Sequence, residues 1–415
     1  MAGEHAKTRW GGLADGRFRP SGYFRTADDD GVAWLVDPDG GRFLSKGVDN
    51  VKFDPDQVQG TGRAPYADSC RAKYGSETAW RSAVATRLAG WGFNTVGAWS
   101  DAALVSAGTK PLAAAPNLDL GMSFAWGIND RNPGAPRLHF PDVFDPAFAA
   151  HAAARASELC APDADNGGIL GWFIDNELRW GPDWRGPDEL LALFLALPPD
   201  TPGRFAASSF LRARGHADAA SASDVDCDAF AARVAERYFA VTVTAIKGAD
   251  PNHLVLGCRF ALPPRTSVLR AAAHAVDVIS FNCYETSPET ALAFYGAGGK
   301  PCLIGEFSFR GADSGLPNTR GAGPVVPTQQ ARADGYRQYT RAAFGHPQVI
   351  GCHWFEHADQ PAEGRFDGEN SNFGTVSIDD RPYAPIVATM REVNAATDAL
   401  HDETGRQPVA TGAQA

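Results

Sequence analysis

The sequence has no basic run, no CxxC pair and no apolar stretch long enough to span a bilayer. Without clustered Lys or Arg, and with a net charge of −11, a nucleic acid or a membrane is disfavoured as a partner. Seven cysteines, an odd number without Cys/His zinc spacing, suit a reducing compartment. Four of them (Cys258, Cys283, Cys302 and Cys352) lie in apolar strand-like runs, where a thiol behaves as a small hydrophobe. The opening MAGEHAKTRWGG lacks the apolar core of a secretion signal, so the expected location is cytoplasmic. A dinucleotide fold would show GxGxxG after its first strand; GVDNVKFDP stands there instead, and no cofactor or metal is expected. There is no internal repeat and no linker that would split off a second domain.

What is present is ample core material. Of 415 residues 44% are hydrophobic, and ten are Trp, enough for a large core and for aromatic platforms. Residues 1–21 are polar and Gly-rich and are expected to form a poorly ordered arm. Residues 22–43 read as a small antiparallel β-meander with a DPDGG turn at 37–41.

Eight strand-like runs follow, at 42–48, 93–98, 118–125, 169–174, 253–259, 276–282, 301–307 and 349–354. Helix-like stretches alternate with them at 78–90, 146–160, 187–197, 224–248, 288–296 and 328–344, and another follows at 384–396. This alternation predicts an α/β fold, a (β/α)8 TIM barrel over residues 22–400. Residues 181–224 read as an insertion after the fourth strand, and 401–415 as a C-terminal tail.

In such a barrel the carboxyl ends of the strands carry the chemistry. The fourth strand ends in Asn176 and Glu177, the seventh in Glu306. Other end residues are Asn50, Trp99, Trp126, Asn282, Tyr284 and the segment from His353 through Trp354 and Glu356 to Asp359; His139 is a further candidate. Amides, acids and indoles together suit a carbohydrate: hydroxyls meet the polar groups and C–H faces meet the rings. Two carboxyls predict glycoside cleavage, one protonating the leaving oxygen and one attacking or activating water.

Several segments resemble a known family. GWFIDNELRWG (171–181), IGEFSFRG (304–311) and GCHWFEHADQPAEGRFDGENSNFGTVSIDDRPY (351–383) are similar to the β-agarases of glycoside hydrolase family 50, within the clan A retaining hydrolases. The segments GVDNV (47–51) and WGFNTVGAWSD (91–101) fit as well. The resemblance implies that Glu177 is the acid/base and Glu306 the nucleophile. It implies that Asn176 binds a sugar 2-hydroxyl, that Tyr284 orients Glu306, and that Trp354 floors a subsite. The implied partner is a short, galacto-configured oligosaccharide. A clan A β-glucosidase or β-galactosidase, or a barrel that binds sugar without cleaving it, stays open. The chain departs from the family pattern at Glu356-His357, where an uncharged pair is commoner.

One motif points elsewhere. His353-Trp354-Phe355-Glu356-His357 matches H-x-x-E-H, an inverted zinc-protease pattern that needs a helix to bring both His to one metal. A strand leaves them ~13 Å apart. Asp367-Gly368-Glu369-Asn370 is expected to act on substrate or to staple a loop.

Overall fold

The turn that opens the fold is built by one carboxylate. Asp37 Oδ1 accepts from the N–H groups of Asp39 and Gly41 at 3.0 and 2.9 Å, and Gly40 takes φ 91°. On either side, Arg25–Asp29 pairs antiparallel with Val32–Val36, which pairs with Arg42–Phe43. The computed structural model describes residues 6–131, 139–216 and 218–405. The meander is as expected, and before it two residues of the described stretch 6–21 are anchored. Leu13 bridges to Arg42, and Trp10 and Leu13 are buried, because an indole and a leucine have apolar surface to hide.

The described residues cluster into two compact units. One comprises 1–116, 283–293 and 301–415, the other 117–282 and 294–300.

In the first unit a parallel sheet runs in the order Ala113–Ala114, Thr95–Val96, Ser45–Val48, Val349–Trp354, Cys302–Phe307. Its interior is tight enough to dictate glycine. A Cβ on Gly47 would lie 2.3 Å from the His353 ring, and one on Gly97 1.8 Å from Asp49 Oδ1. Helices Pro65–Tyr74, Glu77–Gly90, Gln329–Phe344 and Ala384–Thr404 belong to this unit. The last of them carries the chain into the stretch read as a tail; residues 406–415 lie outside the described residues.

In the second unit Gly171–Trp172 pairs parallel with Leu254–Val255; Asn117 bridges to Phe173, and Phe260 to Phe281 beside Ile279–Asn282. The 26-residue helix Asp224–Ala249 starts at a Ser223/Asp226 capping box. Its Tyr238 packs among Phe140, Phe148 and Trp180. Within 181–224 lie the helices Leu190–Leu195 and Pro202–Ala213.

The third strand lies elsewhere than expected. Residues Leu120–Arg131 form a helix, and strand pairing falls earlier, at Ala113–Ala114 and Asn117. A short apolar run suits either state, and what decides is remote. The Asp175 carboxylate accepts from Gly121 N and Met122 N, both at 2.8 Å, and so caps the helix start.

Candidate active site

In the second unit, Asn176 and Glu177 follow the Gly171–Trp172 strand, as expected, and both are half-buried. Glu177 adopts φ 52°, a left-handed conformation costly for a non-glycine residue and concentrated at functional sites. Asn282 Nδ2 donates to Glu177 Oε1 at 2.9 Å and to Asn176 Oδ1 at 3.1 Å. Arg259 Nε donates to the same Asn176 oxygen at 2.8 Å. Arg259 is fully buried, lies over the Phe173 ring at 4.8 Å, and also has positive φ, 48°. It ends the 253–259 run and was legible as a strand-end residue, yet sequence reasoning passed over it.

His139 is half-buried, and its carbonyl accepts from Arg179 N at 3.0 Å. Trp126 sits on the Leu120–Arg131 helix, 51% exposed, and not at a strand end.

In the first unit, Glu306 lies within Cys302–Phe307, where the register against Val349–Trp354 slips between Ile304 and Phe307. Such irregularities re-aim side chains. Glu306 is 4% exposed, and the Tyr284 hydroxyl donates to its Oε2 at 2.5 Å, a charge-assisted contact that fixes the carboxylate. Trp99, half-buried with φ 59°, meets Phe355 edge to face.

Asn50, at φ 55°, donates through Nδ2 to Glu356. Glu356 is fully buried and also accepts from Gln360 Nε2 at 3.0 Å, with Arg365 4.0 Å away. Burial, then the charge of Asp56, pushes its carboxyl well up, against the pull of Arg365 and Asn50. Glu356 is therefore a buried brace for Asn50 and not the sugar contact expected of it.

Three further candidates are corrected in the same way. His353 is fully buried, with Nε2 2.8 Å from Ser45 Oγ inside the sheet. With Asp49 3.7 Å from its other nitrogen, this has the outline of a Ser-His-Asp triad, but all three side chains are sealed from solvent. Trp354 is also fully buried, its Nε1 donating to the Phe373 carbonyl and its ring against Phe307 and Tyr336, so core packing claims the face a sugar would use. Asp359, 2% exposed, holds Asn372, Gly374 and Tyr383 together. Burial raises its carboxyl to about 6.

The H-x-x-E-H match dissolves, because His357 is held by Arg87 at 3.2 Å and His353 by Ser45. Among the described residues no group of three or more His, Cys, Asp or Glu is arranged to hold a metal ion. The Asp367–Asn370 turn is a staple: Arg365 grips Asp367 and Glu369, and Asn370 Oδ1 accepts from Thr319 and Arg320 N–H groups.

No family model matches the sequence. "Beta-agarase A" of Vibrio sp. (strain JT0107) is 32% identical over 468 residues, covering 90% of this chain and 46% of that protein. The chain spans about half the length of the curated relatives it matches. Among solved structures, the agarase AgWH50C superposes with a TM-score of 0.80 at 28% identity, covering 95% of this chain and 66% of that one. An exo-β-agarase gives 0.80 at 25%, covering 95% and 68%. The chain is agarase-like. The likeness extends over nearly all of it, both glutamate-bearing units included.

Proposed function

We propose that the chain hydrolyses β-glycosidic bonds in short, galacto-configured oligosaccharides of the agar type, with retention, in a closed (β/α)8 barrel. The agarase likeness of nine-tenths of the chain carries this reading. The settings of the two glutamates support its chemistry. Glu306, oriented by Tyr284, attacks the anomeric carbon while the Glu177 carboxyl gives its proton to the departing oxygen. The glycosyl ester on Glu306 is then released by water whose proton Glu177 takes back. Asn176, with its carbonyl oxygen committed to Arg259 and Asn282, presents its Nδ2 donors to the 2-hydroxyl. Trp99 is proposed as an aromatic contact to the sugar. The seven cysteines are thiols, six of them buried, which supports placement in the reducing cytoplasm.

Agaro-oligosaccharides of defined length, followed by NMR, test the proposal. The first product anomer should be β, and α would overturn retention. Glu306→Gln should lose at least about a thousandfold in kcat, as expected for removal of the nucleophile. Glu177→Gln should lose far less on glycosides with good leaving groups, which need no protonation. A wild-type chain that binds these sugars without cleaving them would make it a binding barrel.

A further inference from the structure

We propose that the hairpin tip at 183–186 is a sugar-binding platform on the leaving-group side of Glu177, floored by the Trp184 indole. This rests on the glycosidase reading above. The chain reverses between Asp183 and Gly186, whose backbones exchange two hydrogen bonds of 3.0 Å. Such tips favour Gly, Asn, Asp and Pro, and an indole gains nothing there from folding. Trp184 is nonetheless 64% exposed, whereas Trp180, four positions earlier, is 6% exposed and stacked on Phe239.

The ring also has a cation against one face. The Arg185 guanidinium lies over it, 4.5 Å from the centroid. The same guanidinium donates to the Glu177 carbonyl from both terminal nitrogens at 3.0 Å, and to Asp183 Oδ2 at 2.6 and 2.8 Å. One cation thus ties the indole to the backbone of the proton donor. Because that donor must reach the glycosidic oxygen, a platform fastened to it adjoins the departing sugar.

A cavity of about 130 Å³ opens beside the ring, lined by Leu178, Trp184, Glu189, Leu262 and Arg265 among others. That is the scale of one sugar ring. Its charges are already matched, Asp183 by Arg185 and Glu189 by a two-point grip from Arg265 at 2.8 and 3.2 Å. A site without surplus charge suits a neutral sugar, with its C–H face on the indole and its hydroxyls on the Glu189 carboxylate.

The test compares Trp184→Ala and Trp184→Phe on two substrates: a neutral agaro-hexasaccharide, and a β-galactosyl fluoride, whose leaving group carries no ring. Trp184→Ala should lower kcat/KM on the hexasaccharide about tenfold, leave the fluoride within about twofold, and be largely restored by Trp184→Phe. Equal losses on both substrates, or none on the hexasaccharide, would overturn the platform. A second arm titrates the hexasaccharide into Glu306→Gln protein with and without Trp184. Tighter binding with the indole present supports the platform, and equal binding refutes it while sparing the glycosidase reading. No binding by either protein would sink the glycosidase reading itself.

Discussion

Asn176 can face Arg259 only through its carbonyl oxygen, because a guanidinium has donors and no acceptor. Asn282 completes the arrangement by giving one amide nitrogen to both Asn176 and Glu177. The pair proposed to do the chemistry is therefore held by Arg259 and Asn282, and on that proposal Asn282 is a positioning residue. Asn282→Ala should reduce kcat on oligosaccharides about 10- to 100-fold with KM changed less than about threefold, since the contact matters most once charge develops. The loss should shrink on substrates with good leaving groups; a uniform loss across leaving groups would mean that Asn282 only supports the fold. At this scale the places of Asn176 and Glu177 after one strand and of Glu306 near the end of another were legible because a polar residue closing an apolar strand is conspicuous. Trp354 and His353 were misread because sequence does not tell which side of a strand end meets solvent. Here Gly47 and Phe373 claim the space around them.

Among the elements, the 118–125 run was the one misassigned, and the reason is physical. The group that makes it helical, Asp175, sits 53 and 54 positions away from the N–H groups it caps. The Tyr238 hydroxyl, at 2.7 Å, shares the same oxygen as Gly121 N. Helices with local signals, such as Ser76 before Glu77–Gly90 and Thr328 before Gln329–Phe344, were legible to within a residue at their starts. Asp175 also yields a sign. Burial, then the charge of Asp119, raises its carboxyl to about 7, against the pull of Tyr238 and the two N–H groups. A carboxyl raised in the fold binds its proton more tightly folded than unfolded, so its contribution to stability falls as pH rises from about 4 to 7. Asp175→Asn cannot titrate. The stability difference between wild type and this variant should move toward the variant by roughly 2–3 kcal/mol from pH 5 to pH 8. Urea unfolding at the two pH values measures it, and a constant difference would refute the assignment.

At the scale of the molecule, strand–helix alternation was legible, and each unit bears it out as parallel α/β structure. The division into units was not, because each is assembled from separated stretches of chain and no linker marks the joins. The first unit has to bring its opening and closing segments together, and it does so in part with ion pairs. Lys7 and Lys46 reach Asp398 near the end of the chain, Arg42 reaches Asp402, and Tyr336 donates to Asn394 at 2.7 Å. The densest such clasp is Asp380. Fully buried, it accepts from Arg87 at 2.6 and 3.1 Å, Lys73 at 2.8 Å, Tyr74 at 2.6 Å and Tyr66 at 3.0 Å, all near 300 positions away. Burial alone would raise its carboxyl, but Arg87, Lys73 and Tyr74 outweigh that and hold it well below the usual range. A carboxyl depressed in the fold stabilises fully above its unfolded pKa of about 3.9, and that contribution disappears as pH falls further. Asp380→Asn leaves Arg87 buried with its counter-ion gone, so it should cost about 3–5 kcal/mol at pH 7. By pH 3 the gap to wild type should have narrowed, because the unfolded wild-type chain takes up a proton at this carboxyl while the folded one holds it ionised. Urea unfolding at both pH values reads this directly. A gap that stayed the same at pH 3, or was absent at pH 7, would mean that the charge of Asp380 is not what fastens residues 66–87 to the closing segment.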